Sequence, residues 1–210
     1  MFRILIVDDH PVVRFGLIGI LADELDIDVT EAANSRDALK LIGEQSWDLA
    51  VLDLDLPGKS GLDLLKEIKQ RRYCPPVLIL SVYPEEQFAV RTLRAGASGF
   101  LSKESAPENL VKAVRKILKG GRYFSEFVAD KLLSRPNDQA ATGYPHETLS
   151  NREFQILCLL GAGKAVKEIS RELSLSAPTV STYRARILEK MGMRTTAQLV
   201  HYAVRNRLVT

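Results

Sequence analysis

Cysteine is nearly absent from this 210-residue chain: Cys74 and Cys158 stand far apart and form no C-x-x-C pair. That excludes a disulfide framework or a zinc cluster as the basis of the fold, and both thiols are expected to be ordinary core or surface groups. Long apolar runs are missing too. No stretch approaches the ~20 consecutive apolar residues of a membrane-spanning helix. The opening MFRILIVDDH lacks a signal peptide's basic segment, long apolar core and small-residue cleavage site. A cytoplasmic protein without membrane contact is therefore expected. Disorder is not indicated, because a hydrophobic share of 46% suffices for ordinary globular cores. The length fits one large domain or two small ones.

An excess of charge appears only when the chain is divided. Residues 1–121 hold 16 Lys+Arg against 18 Asp+Glu, whereas residues 149–210 hold 10 against 4. The basic surplus sits in the C-terminal part, which points to a polyanionic partner there and a different task for the rest.

Along the first part, short apolar runs alternate with amphipathic stretches: RILIV then 11–24, IDVTEAA then 35–44, DLAVLDL then 61–71, PVLILSV then 85–95, GFLSK then 107–119. Five strand-then-helix units predict a parallel sheet covered by helices on both faces. Gly120-Gly121 stops the fifth helix, and a short amphipathic piece is expected at 125–134. The stretch SRPNDQAATGYPHET that follows reads as an exposed linker. From Leu149, four short helices are expected. Ser150 and Glu153 form a capping box at the first, and Ser176 caps the third with Pro178 in its first turn. The domains expected are thus 1–121, a linker with a short helix over 122–147, and 148–210.

In an open parallel sheet, reactive groups gather beyond the carboxyl ends of the strands. Asp8 and Asp9 end the first strand, Asp53 the third and Ser81 the fourth, while Lys103 follows the fifth. Three carboxylates at one edge repel one another unless a cation joins them. A hard divalent ion such as Mg²⁺ suits all-oxygen ligands. A carboxylate beside that ion can attack a phosphoryl group, with the Lys103 ammonium as a second neutralising charge. Other motifs compete for the same stretch. Asp53-x-Asp55 begins like a calcium loop, but Pro57 occupies its fifth position and Leu64 stands where the bidentate Glu belongs. Gly58-Lys59-Ser60 imitates the end of a phosphate-binding loop, yet Asp53 replaces the required earlier Gly. The D-x-D nucleophile of haloacid-dehalogenase-type phosphatases stays as the alternative, although there it normally lies on the first strand and is followed by Thr or Val where this chain has Pro57. His10 reads as a helix-start residue rather than a ligand, and Trp47 as packing.

The acid pair Asp8-Asp9, LDLDLPGKSG around Asp53, LILS at Ser81 and GFLSK at Lys103 resemble the receiver domain of bacterial two-component response regulators over residues 1 to about 121. The resemblance implies a doubly wound, flavodoxin-like five-stranded sheet. It further implies that Asp53 accepts phosphate from a partner histidine kinase, and that Asp8, Asp9, Asp53 and the backbone carbonyl of Asp55 hold Mg²⁺. Ser81 would bond the phosphoryl group, and Phe100 would turn inward as Ser81 moves.

In the basic part, KEISRELSLSAPTVSTYRARILEK has the pattern of a helix, a tight turn and a second helix, with the motif over about 166–185. At about 100° per residue, Val180, Ile187 and Met191 share a core-facing stripe. Ser181, Thr182, Ala185, Arg186 and Glu189 then point outward, with Thr179 on the flank, a face suited to base edges and phosphates. Lys167, Arg184 and Lys190 are further phosphate candidates. The stretch from Leu149 is similar to the LuxR-type helix-turn-helix domain, so the whole chain resembles the NarL/FixJ class. This implies a small all-α domain of four helices, binding to double-stranded promoter DNA, and a homodimer on activation. Ser181 stands where that family usually has Lys, Tyr183 where it often has His, and Ala165-Val166 where Ser-Asn is common.

Overall fold

Strands buried on both faces need apolar side chains throughout, and each apolar run of the first part forms one. The computed structural model describes residues 1–22, 26–83, 85–125, 128, 144–206 and 208–209. Strands β1 (Phe2–Val7), β2 (Ile27–Ala32), β3 (Leu49–Asp53), β4 (Val77–Ser81) and β5 (Gly99–Ser102) alternate with α1 (Pro11–Ala22), α2 (Ser35–Glu44), α3 (Gly61–Lys69), α4 (Glu85–Arg94) and α5 (Ala106–Leu118). All pairings are parallel, in the order β2-β1-β3-β4-β5, the flavodoxin-like arrangement expected. The strand furthest from full burial is β2. It is an edge strand, and its polar Asp28, Thr30 and Glu31 reflect that position.

Side chains alternate across the sheet. Ile4, Ile6, Val51, Leu78, Leu80 and Leu101 pack with Leu17 and Leu21 of α1 and with Leu110, Val114 and Ile117 of α5. The intervening Leu5, Val7, Leu52, Ile79 and Phe100 are buried as well. Each such side chain contributes about 1.5–3 kcal/mol through burial. Trp47 is buried with its indole N–H donating to the Leu41 carbonyl at 3.1 Å, a packing role as expected. Cys74 is exposed and Cys158 buried.

Gly120, at φ +82°, turns the chain out of α5, and the segment after it runs back along the open edge of β5. Tyr123 N–H donates to the Ser98 carbonyl at 3.0 Å, and Phe100 N–H donates to the Tyr123 carbonyl at 2.9 Å. Ser125 N–H donates to Glu85 Oε1 at 2.9 Å, tying the same segment to α4. Most of the amphipathic piece expected at 125–134 lies outside the described residues, as does much of the linker.

The chain falls into two compact units, Met1–Ser134 and Arg135–Thr210. In the second, a 3-10 turn (Pro145–Thr148) leads to α6 (Asn151–Gly161), α7 (Val166–Glu172), α8 (Ala177–Lys190) and α9 (Thr196–Arg205), the four helices expected. The Ser150 box forms: Ser150 Oγ accepts from Glu153 N–H, and Ser150 N–H donates to Glu153 Oε2 at 2.7 Å. Ser176 Oγ accepts from Thr179 N–H at 3.2 Å. At α7 only half a box exists. Ala165 N–H donates to Glu168 Oε2 at 2.7 Å, but alanine offers no oxygen to the first turn. Ala165 already has the extended backbone of a cap, φ −74° and ψ 156°. Ala165→Ser is therefore expected to stabilise α7 by about 1 kcal/mol, read as roughly fivefold slower amide exchange in that helix. Unchanged exchange would show that the hydroxyl finds no donor there.

Candidate functional site

The carboxyl edge of the sheet collects the acids because β1 and β3 are neighbours. Asp8 follows β1 directly and Asp53 is the last residue of β3. Both are about 1% exposed. Lys103 reaches them because Lys103 N–H donates to the Ser81 carbonyl at 2.7 Å, carrying the β4–β5 pairing one step past the strands. Its ammonium donates to Asp8 Oδ2 and to Asp53 Oδ2, each at 2.7 Å. Burial opposes the charge on Lys103, but Asp53 and Asp8 outweigh it and raise its pKa above the ordinary 10.5. Asp53 feels the opposite balance. Desolvation raises its pKa from 3.8 to about 6, with Asp8 adding repulsion and Lys103 pulling the other way.

The second oxygens of both acids are also held. Asp8 Oδ1 accepts from His10 N–H at 2.8 Å, and Asp53 Oδ1 accepts from Asp55 N–H at 3.2 Å. The Arg14 guanidinium donates to the Asp8 carbonyl at 2.7 Å and to Glu31 Oε2 at 2.6 Å, fixing the end of β1. Asp9 Oδ1 is shielded from solvent, with His10 Nδ1 2.8 Å away. A buried cluster of carboxylate oxygens is costly unless cations answer it. Asp8, Asp9, His10 and Asp53 each offer a ligand atom, all within 4.8 Å of one another. This donor set fits a hard divalent ion.

Ser81 is fully buried at the same edge, and its Oγ accepts from Tyr83 N–H at 3.0 Å, so the bond uses its oxygen and not its proton. Phe100 is 1% exposed and already inside, so no inward swing remains for it in this state. Three features of the site go beyond what the sequence predicts. His10 faces the acids as well as starting the helix. Tyr83 and Phe88 stack with ring centroids 4.7 Å apart, linking the residues after Ser81 to α4. Gly61 lies so close to β3 that a Cβ on it would sit 1.9 Å from the Asp53 carbonyl oxygen. Only the first carries a sequence signal, its place beside the acid pair.

In the second unit, the turn between α7 and α8 passes through Ser174 at φ 51°. Val180, Ile187 and Met191 are buried as the helical spacing required, while Thr182, Ala185, Arg186 and Glu189 are exposed. Lys167 and Thr179 are exposed too, and Ser181, Tyr183 and Arg184 are half-buried. Lys190 differs from its neighbours. Its ammonium donates to Glu153 Oε2 at 2.7 Å, pinning the end of α8 to the start of α6. Burial would raise the Glu153 pKa, but the bonds from Lys190 and Ser150 outweigh it and hold the carboxyl below its ordinary value. Their contribution is therefore present above the ordinary Glu range and lost as pH falls through the depressed value.

Among the described residues, no helix is long and apolar enough to cross a membrane. Residues 4–115 match the response regulator receiver domain family, and residues 147–203 match the luxR family of bacterial regulatory proteins. The response regulator UvrY of Escherichia coli (strain K12) is 34% identical over 209 residues, covering 99% of this chain and 96% of that protein. The transcriptional regulatory protein LiaR of Bacillus subtilis (strain 168) is 35% identical over 210 residues, the whole of both chains. RcsB of Salmonella enterica serovar Typhimurium, solved on promoter rprA with the phosphomimetic BeF3-, has a TM-score of 0.62 at 26% identity, covering 96% of this chain and 98% of that one. The chain belongs to the response regulators of the NarL/FixJ class, transcription regulators that join a receiver domain to a LuxR-type DNA-binding domain.

Proposed function

We propose that Asp53 accepts a phosphoryl group from a sensor histidine kinase, and that the new charge switches dimerisation and promoter binding. The observation that carries this is the Lys103 ammonium lying 2.7 Å from both Asp8 and Asp53, a cation built into a buried acidic edge. An Oδ atom of Asp53 attacks phosphorus, the bond from phosphorus to the kinase imidazole nitrogen breaks, and an acyl phosphate remains on Asp53. Mg²⁺, held when bound by Asp8, Asp9, Asp53 and the carbonyl of Asp55, supplies neutralisation of the transferring oxygens. Lys103 balances charge from the other side of the carboxylate. Ser81 exchanges its place beside Tyr83 for a bond donated to the phosphoryl group.

That movement draws on the loop into α4, where Tyr83 stacks on Phe88. Phe100 repacks with it, and the backbone bond from Phe100 to Tyr123 passes the displacement to the start of the linker. The event is a single labelling followed by slow decay, not turnover on a metabolite. It takes place in the cytoplasm, where kinase and promoter meet.

DNA binding falls to α8. Arg186, Thr182 and Ser181 face base edges, with Thr179, Tyr183, Arg184 and Lys167 around them toward phosphates. Lys190, committed to Glu153, orients the helix rather than touching phosphate. Two copies engage paired half-sites, since dimer symmetry matches operator symmetry. RcsB on its promoter supports this placement by likeness. Arg186→Ala is expected to weaken binding to a promoter fragment about tenfold or more, measured by fluorescence anisotropy, with Asp53 labelling intact. Unchanged affinity would remove Arg186 from the interface.

A further inference from the structure

His10 takes no part in the mechanism above, yet its ring faces the acidic edge. Its Nδ1 lies 2.8 Å from Asp9 Oδ1 and 3.4 Å from Asp8 Oδ1. These atoms also belong to the set of Asp8, Asp9, His10 and Asp53 ligand atoms lying within 4.8 Å of one another, and the 2.8 Å separation of Nδ1 from Asp9 Oδ1 is the spacing of adjacent ligands on one ion. Adjacent ligands in an octahedron with bonds of about 2.1 Å stand about 3.0 Å apart. His10 is also held there: its own N–H donates to Asp8 Oδ1 at 2.8 Å, and Pro11 begins α1 directly after it.

The charges around this point leave it open to a cation. Lys103 binds Oδ2 of Asp8 and Oδ2 of Asp53. The Oδ1 atoms of these two acids each accept one backbone N–H and keep lone-pair capacity. We infer that His10 is a nitrogen ligand of the divalent ion at this site, so that later transition ions such as Co²⁺ are preferred over Mg²⁺ beyond what the carboxylates alone produce. This rests on the acidic-site reading proposed above. The physical ground is ligand type: carboxylate oxygens suit Mg²⁺, whereas an imidazole nitrogen adds affinity for transition ions and little for Mg²⁺. Ligation through Nδ1 places the ring proton on Nε2.

The test compares the full-length chain with His10→Asn, both checked for unchanged circular dichroism. Calorimetric titration with Co²⁺ and with Mg²⁺ is expected to show the Co²⁺-over-Mg²⁺ preference falling about tenfold in the variant, with Mg²⁺ affinity within about twofold. Mn²⁺ electron spin-echo modulation is expected to show a nitrogen coupling in the wild type that the variant loses. The same preference in both proteins, with no nitrogen coupling in the wild type, overturns the assignment of His10 alone. Wild-type protein that binds neither ion overturns the acidic site, and the His10 ligand with it.

Discussion

Asp53→Asn is expected to abolish labelling by a small phosphodonor with Mg²⁺ and, at the same time, to make the metal-free protein more stable at pH 7. The first effect follows from removing the nucleophile, since an amide does not form an acyl phosphate. Labelling that persists would place the acceptor on another residue. The second follows from the cost of the buried charge. The Asp53 carboxyl sits at about 6 in the folded chain against an ordinary 3.8. At 1.36 kcal/mol per pKa unit, its ionisation costs the native state about 3 kcal/mol.

The sign follows from proton counting. A raised folded pKa means that the native state binds more protons than the unfolded chain between these two values. The contribution of Asp53 is complete below 3.8 and is lost as pH rises through 6. Thermal midpoints of the metal-free wild type should therefore fall across that window by more than those of the variant. The folded pKa of about 6 already includes the attraction of Lys103, so the variant is expected to gain up to about 3 kcal/mol at pH 7. An Asp53→Asn midpoint at or below wild type at pH 7 would mean that Lys103 compensates the buried charge fully.

Gly61→Ala is expected to be nearly as damaging to phosphorylation, by geometry alone. The added Cβ meets the Asp53 carbonyl oxygen at 1.9 Å, the Leu54 Cα at 2.8 Å and the Asp53 carbonyl carbon at 2.9 Å. All three are backbone atoms, so no rotamer relieves the overlap. Gly61 N–H also donates to the Leu54 carbonyl at 2.9 Å, which holds the start of α3 on the end of β3. Relief requires moving the strand end that carries Asp53, at a cost of about 3 kcal/mol or more. A displacement of about 1 Å at the reacting carboxylate slows labelling on the order of 100-fold. Gly58→Ala is the internal comparison: its φ of +78° imposes strain, but nothing lies within 4 Å of an added Cβ. That variant should lose only about 1–2 kcal/mol. Similar denaturation midpoints and labelling rates for the two would remove the contact at Gly61 as the cause.

The acids are legible in the sequence because strand ends announce themselves: an apolar run that stops at Asp8-Asp9 or at Asp53 puts the charge where the sheet opens. The capping box at Ser150 is legible for a similar reason, since its two bonds span only three residues. Gly61 has the sequence context of a turn marker, and nothing local says that its α-carbon touches a carbonyl eight residues earlier in the chain. Lys190 has the context of one more phosphate contact on an exposed helix end. Its partner Glu153 is 37 residues away, so helix periodicity carries no sign of the pairing.

Period and order along the chain thus determine which elements form, how the sheet is wound and which residue types reach its open edge, because these depend on neighbours within a few residues. Alternation of apolar runs with amphipathic stretches forces the parallel sheet, and the clustering of basic residues after Leu149 separates the second task from the first. Tertiary structure alone decided how the charges are shared. Lys103 bridges Asp8 and Asp53 across separations of 95 and 50 residues. The pKa of Asp53 depends on that bridge and on burial, and so does the choice of Oδ atoms left for a cation. The Tyr123 segment bonded to Phe100 is likewise a product of where the β5 edge lies in space. Desolvation and Coulomb energies depend on distance through the folded protein, not along its chain.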